Sequence, residues 1–550
     1  MSDNLSELLG RKGVEGSFFS KLGELAKPDG APSNEAMEKL AEEFLIGKAN
    51  AFGTASFYDF LKPENKGKKV YVCNGTACVC AGTQEKVIAT LKETFDADEI
   101  GHMTCLGRCH ENAAFHYKGR NYSGTSSENL KTILTSENNL NQDTYNVKAN
   151  GRSVLTKPFT SIDEYYEPFK RVLKSDSLDV LLEIKTSNVR GRGGAGFPKG
   201  LKLEFCRNAE SDVKFIICNG DEGDPGAYSD RYLLEQRPHS VLFGMLISGY
   251  VTFANHGIVY IRAEYPEAMG IVQKAIDDLR AKGLIGKNIQ GSGFDFDFKI
   301  IQAQGSYICG EETALINSIE GQRPEVRVRP PFPAQKGLFN KPTMVNNVET
   351  LANMRNIIEH GGSYWKSVGT EKSAGTKLVC LDSFFNNPGM YEVEMGTPLS
   401  EVIDTLGGGF KSPVKAIQIG GPLGGLVPVS KIKDLTVDFE SFAEEGFLLG
   451  HASIICVPED YPIMKFIEHL FDFASYESCG KCFPCRLGTK RGQELSQKAL
   501  TSDYKIDRKL FTDLLTTLEQ GSLCAHGGGI PLPVRNALQY FDHELIPYFN

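Results

Sequence analysis

Cys479, Cys482 and Cys485 fall within seven residues of ESCGKCFPCRLG, and a fourth cysteine, Cys524, follows in LCAHGGG; no other stretch confines the chain so tightly. The segment between them, DRKLFTDLLTTLEQ, has helical periodicity, so the fourth thiolate returns from beyond a helix. Structural zinc usually takes two separated C-x2-C pairs, whereas a 4Fe–4S cubane suits a tight triplet plus one remote cysteine. The quartet therefore predicts a 4Fe–4S centre, with zinc as the minor competitor.

A second group lies near the start, Cys73 and Cys78 in VCNGTACVC and Cys105 and Cys109 in CLGRC, separated by the amphipathic stretch TQEKVIATLKETF. Four thiolates from two loops suit a 2Fe–2S rhomb. Such pairs also hold zinc, and Cys80 competes with Cys78 for a place. Cys206, Cys218, Cys309, Cys380 and Cys456 are scattered and read as small buried hydrophobes. The opening MSDNLSELLGRKG lacks the apolar run of a secretory signal, which predicts a cytoplasmic, reducing location and metal rather than disulfides for the fourteen cysteines.

At 550 residues and 41% hydrophobic, the chain has material for three or more cores. A net charge of −9 and the lack of a basic run interleaved with aromatics argue against a nucleic-acid partner. The most apolar stretch, VLFGMLISGYVTFA at 241–254, is too short for a comfortable membrane span and reads as a buried helix.

The centre is glycine-rich. In VRGRGGAGFPKGLKLEF, Gly191, Gly193 and Gly196 match G-x-G-x-x-G, but LDVLLEIKTSNV before them has helical rather than strand spacing, which speaks against an ordinary Rossmann turn. A glycine loop still lets backbone amides approach a phosphate, with Lys202 adding charge and Phe197 and Phe205 adding flat apolar faces. Downstream, KFIICNGDEGDPGAYSDR reads as a buried strand ending in Asn219, Asp221, Glu222 and Asp224. GSYICGEETALINSIEG starts a helix at Glu311 and Glu312, and RVRPPFPAQKGLFNKPTMVNNVETL offers Arg327, Arg329 and the pair Asn346 and Asn347.

In this order RGRGGAGFP, CNGDEGDPGAYSDR, YICGEETALINSIEG, PPFPA, NNVETL and SCGKCFPCRLG closely resemble the flavin-containing NADH-binding subunit of complex I and its relatives in NAD-reducing hydrogenases and NAD-dependent formate dehydrogenases, over about 150–545. The N-terminal part resembles the family's small 2Fe–2S subunit, here joined to the flavin part in one chain. The resemblance implies an α/β multidomain fold: a helical lead-in over 1–66, a thioredoxin-like 2Fe–2S domain over 67–140, a Rossmann-like FMN/NAD(H) domain over 150–375, a ubiquitin-like β-grasp insert over 376–440 whose role is packing, and a helical 4Fe–4S domain over 441–550. It implies FMN contacts from Gly191, Gly193, Lys202, Asn219, Asp221, Glu222, Tyr307, Gly310, Glu311, Asn346 and Asn347, and nicotinamide-nucleotide contacts from Phe197, Phe205, Glu312, Arg329 and Phe332.

The implied activity is a diaphorase reaction: hydride passes between nicotinamide C4 and FMN N5, then single electrons move to iron–sulfur carriers. No acid–base residue is required, and Glu312 is a positioning candidate. Asp224 stands where the complex I pattern has Glu, which predicts weaker exclusion of NADP. Fusion of the 2Fe–2S part and the absence of an appended C-x2-C-x2-C-x3-C-P pair put an NAD-dependent formate dehydrogenase first. A hydrogenase flavin subunit, a complex I subunit, a non-catalytic electron-transfer scaffold and a zinc module are the alternatives. Other iron–sulfur and catalytic subunits are the expected partners.

Overall fold

The computed structural model describes residues 3–11, 13–14, 16–124, 130–135 and 145–550. Strands β1 (Val70–Cys73), β2 (Ile100–Met103), β3 (Phe115–Tyr117) and β4 (Arg120–Tyr122) form a sheet in the order β2-β1-β3-β4. β1 is parallel to β2 and antiparallel to β3, and the helix Gln84–Leu91 lies in the crossover that a parallel pair requires. Alternation along β1 sends Val70 and Val72 into the domain core and Tyr71 and Cys73 to the opposite face, where Cys78, Cys105 and Cys109 gather. This is the expected thioredoxin-like 2Fe–2S domain.

After β5 (Asn146–Asn150), the chain builds a four-stranded, all-parallel sheet from β6 (Phe215–Gly220), β7 (His256–Ile261), β8 (Asp297–Gln302) and β9 (Thr343–Asn347), in the order β8-β7-β6-β9. Such a sheet needs both faces covered. One face, with Ile216, Cys218, Val259 and Met344, packs on helices that include the deeply buried Pro238–Thr252, the stretch expected to be a buried helix. The other face, with Ile217, Ile258, Tyr260 and Val345, is covered by the N-terminal segment, whose helices contribute Phe18, Phe19, Leu22 and Leu40 and whose following turn contributes Tyr58. The lead-in is therefore part of the flavin-sheet core.

A third sheet follows from β10 (Thr376–Leu381), β11 (Gly389–Glu394), β12 (Val414–Ile419), β13 (Gly425–Pro428) and β14 (Ser453–Pro458), in the order β13-β12-β14-β10-β11-β5. It is not confined to 376–440. β5 joins its edge, parallel to β11, and β14 lies inside it within the stretch expected to be helical. SIICVP is a short apolar run buried at every position, a pattern that suits a central strand and that periodicity alone does not separate from a buried helix. Beyond it, the helices Ile463–Tyr476, Phe483–Thr501, Arg508–Gly521 and Pro531–Tyr540 pack through Leu470, Phe471, Leu495, Phe511, Leu515 and Val534. Among the described residues no helix is long and apolar enough to cross a membrane.

Candidate active site

The chain runs from β6 through β7 to β8 on one side and returns to β9 on the other side of β6, so a crevice opens at the carboxyl ends of β6 and β9. The register there pairs Cys218 with Asn346 and Asn219 with Asn347, so Asn219 and Asn347 are neighbours across the strands. A cleft of about 1090 Å³ occupies this point, and every flavin and nucleotide residue anticipated above lines it, from Gly191 and Gly193 to Asn346 and Asn347. The glycine loop follows the helix Ser177–Thr186, not a strand, and enters the helix Lys199–Asn208, so it is not an ordinary Rossmann turn. Gly194 and Gly196 have φ of +113° and +59°, conformations that favour glycine.

Inside the cleft, Lys202 Nζ reaches Glu312 Oε2 and the Val345 carbonyl, both at 2.7 Å. Arg329 bridges Glu311 Oε1 at 3.1 Å and Glu312 Oε1 at 3.3 Å. The other Glu311 oxygen caps the helix Glu312–Ile319 by accepting from the Thr313 and Ala314 N–H groups, so half of this carboxylate is structural. The Glu222 carboxylate is likewise turned inward, onto the N–H groups of Asp230 and Arg231 and the hydroxyls of Ser229 and Tyr265. Asp221 Oδ2 and Asn346 Nδ2, by contrast, are buried without a partner among the described residues. Burial holds Asp221 well above the usual carboxylate range. Phe197, Phe205 and Phe332 are each about half exposed, and so offer ring faces to a ligand.

Both cysteine quartets close. Cys105 Sγ lies 3.4 Å from Cys109 Sγ, and Cys73 is in hydrogen-bond reach of Cys105 and Cys78. Cys80 instead packs with Val457, Ile463 and Met464, which leaves Cys78 as the fourth member. The loop from the cleft reaches this quartet directly, since the Gly226 N–H donates to Cys109 Sγ at 3.2 Å. In the late quartet, Cys485 is in reach of Cys482 and feels Cys479, while Cys524 feels both Cys479 and Cys485. Burial pushes the Cys485 thiol up to about 11 and Cys524 to about 12, so thiolates at these two positions need a cationic centre. Cys524 also lines the cleft, beside His526 and Tyr307, whose rings are 5.6 Å apart.

Three stretches match known families: residues 184–356 the Nuo51 FMN-binding domain, 465–547 the NADH-ubiquinone oxidoreductase-F iron-sulfur binding region, and 14–138 the thioredoxin-like [2Fe-2S] ferredoxin. The NADP-reducing hydrogenase subunit HndC of Solidesulfovibrio fructosivorans is 43% identical over 392 residues, covering 70% of this chain and 80% of that protein. The chain belongs to the flavin and iron–sulfur NADH dehydrogenase subunits of complex I and hydrogenase type. The mitochondrial NADH-ubiquinone oxidoreductase 51 kDa subunit of Aspergillus niger is 38% identical over 376 residues, covering 66% of this chain and 75% of its own length. A crystal structure of NAD+-reducing [NiFe]-hydrogenase in the air-oxidized state superposes with a TM-score of 0.84 at 26% identity, covering 97% of this chain and 93% of that chain.

As a member of this family the chain is an oxidoreductase module with FMN, 4Fe–4S and 2Fe–2S domains. Its own residues fit those groups: buried Asp221 and Asn346 atoms face the cleft without a partner among the described residues, and the thiols of each quartet lie near one another. The motifs did not single out Asp230, Gly420, Leu423, Gly450 or His451, all of which line the cleft. Asp230 sits within the quoted AYSDR, whereas the others carry no local signal and come from the third sheet. That sheet does more than pack.

Proposed function

We propose that the chain is the NAD(H)-reacting subunit of a multi-subunit oxidoreductase working in the cytoplasm, with the residue roles set out above and the expected domains, except that the third sheet extends beyond 376–440 to include β5 and β14 and the N-terminal lead-in packs into the flavin-sheet core. FMN is held by Gly191, Gly193, Lys202, Asn219, Asp221, Glu222, Tyr307, Gly310, Glu311, Asn346 and Asn347, and NAD(H) by Phe197, Phe205, Glu312, Arg329 and Phe332. Cys479, Cys482, Cys485 and Cys524 ligate the 4Fe–4S cluster, and Cys73, Cys78, Cys105 and Cys109 the 2Fe–2S cluster. The single observation carrying this reading is that Cys524 lines the same cleft as the flavin residues, so a one-electron acceptor adjoins the hydride site.

When bound, FMN takes two electrons together from reduced nicotinamide and releases them singly, which matches the donor to iron–sulfur carriers. The protein supplies placement. Lys202 and Arg329, steadied by Glu311 and Glu312, put fixed cations where nucleotide phosphates enter, and the three phenylalanines give the mouth its stacking faces. Purified chain reducing ferricyanide with NADH, with stoichiometric FMN, is the expected result; no flavin after careful reconstitution would leave only an electron-transfer scaffold.

For the parent complex, the motifs put formate dehydrogenase first, but the end-to-end likeness to the NAD+-reducing [NiFe]-hydrogenase chain, including the fused N-terminal part, favours a hydrogenase partner. Mass spectrometry of whatever co-purifies with the chain separates the two: a hydrogenase subunit is expected, and a large molybdopterin subunit would restore formate.

A further inference from the structure

His451 lies just before β14, outside the stretches matching the flavin and iron–sulfur families, yet its buried side chain lines the cleft. Its Nε2 is 3.3 Å from Asp230 Oδ2 and 3.7 Å from Glu222 Oε1. The same Asp230 oxygen accepts from Asn347 Nδ2 at 2.6 Å, and Asn347 Oδ1 accepts from the Thr350 N–H at 3.2 Å, so the carboxamide is fixed at both ends. His451 Nδ1 and Asp230 Oδ1 are buried with no partner among the described residues.

We propose that His451 is a cationic positioning residue of the flavin cleft: one proton, held among His451, Asp230 and Glu222, fixes Asp230 and through it the Asn347 carboxamide, an inference resting on the placement of FMN against Asn347.

Burial alone would lower the imidazole, but Asp230 and then Glu222 outweigh it and push His451 up to about 9. Burial and Asp230 together push Glu222 up as well. The other charges facing this group are Asp224 at the cleft and Lys377 in β10, which opposes the proton but is itself paired with Glu349. These three side chains also stand close enough together to suggest a metal site. A proton is the better occupant, because the Glu222 oxygens already accept from two backbone N–H groups and two hydroxyls, which leaves few lone pairs for a cation.

The test is FMN binding to the deflavinated full-length chain, followed by flavin fluorescence from about pH 6.5 to about pH 10. Wild-type affinity should be level to about pH 8.5 and then fall by about tenfold in all as the imidazole deprotonates, levelling near the His451→Gln value. His451→Gln should bind about tenfold more weakly at neutral pH and lose the step, since one positioning hydrogen bond is gone. Asp230→Asn should lose the same step. Variants that keep the wild-type pH profile overturn the inference while leaving FMN binding intact; wild-type chain that binds no FMN at any pH overturns the proposed function and the inference together. A measurement that needs no variant is the histidine ring titration of the deflavinated wild-type chain, in which one imidazole should stay protonated to about pH 9. A spectrum without it overturns the inference.

Discussion

Asp224 Oδ1 accepts the Tyr307 hydroxyl at 2.7 Å, and the carboxyl packs so closely on Gly421 that a Cβ there would come within 2.6 Å of Asp224 Cγ. A longer side chain has no room to retreat and must either break the Tyr307 bond or extend toward the nucleotide, where a carboxylate repels an extra phosphate. Asp224→Glu should therefore lower the NADPH:NADH ratio of kcat/KM several-fold, about 1 kcal/mol; a ratio that holds or rises removes Asp224 from the specificity account. A second residue-scale consequence concerns pH. The ring of His451 has a folded pKa of about 9 against an ordinary 6.5, so its stabilisation is complete below about 6.5 and is lost as pH rises through about 9. Thermal scans across that window should show the wild type losing more stability than His451→Gln; parallel curves would contradict this. Residue types were legible before their geometry was. Glu222 and Glu311 were both expected at the flavin, yet the structure gives much of each carboxylate to a helix N-terminus.

At the scale of elements, the late quartet depends on how the helix Phe483–Thr501 and the short helix Ala525–Gly529 meet. Their approach runs over Gly527, where a Cβ would come within 2.7 Å of Cys485 Cβ and 2.5 Å of Ser522 Oγ. Gly527→Ala should cost the cubane its iron and labile sulfide, roughly half or more by overpacking, while the 2Fe–2S signal persists; equal loss from both centres would point to general misfolding instead. On β11, Glu392 ties three elements together. It accepts the N–H groups of Val154, Leu155 and Thr156 and the hydroxyls of Thr156 and Thr376, pinning the entry to the flavin domain onto the third sheet. Glu392→Ala strands several buried donors and should destabilise the protein by about 3 kcal/mol or more, read as a lowered denaturation midpoint. The strand β14 was hidden in the sequence because a six-residue apolar run has no period of its own, and the amphipathic helix after it dominated the reading of the whole region.

Across the whole molecule, the N-terminal helices do not stand apart as a lead-in to the 2Fe–2S domain. They cover one face of the flavin sheet, with Phe18, Phe19 and Tyr58 fully buried in the core that includes Ile217, Ile258 and Tyr260. A truncation that starts just before β1 uncovers that face and should yield aggregated, flavin-free protein, since each large apolar side chain exposed forfeits about 1.5–3 kcal/mol. Soluble truncated protein retaining FMN would show that the sheet tolerates one bare face. Both cysteine quartets touch the cleft region, whose loop reaches Cys109 at one end while Cys524 lines the cleft at the other.

The sequence by itself determined whatever is encoded by neighbours along the chain. Ligand spacings announced two thiol quartets, the alternation in VYVC turned Cys73 to the cluster face, and ordered motifs named the residues that line the cleft. Only the tertiary structure decided what depends on residues hundreds of positions apart. It left Cys78 with the quartet and sent Cys80 into a helical core, drew β5 and β14 into a common sheet, and carried His451 to Asp230 and Glu222. Periodicity reports which face of an element is apolar; it does not say which distant face will cover it, and the flavin cleft is made where three such faces meet.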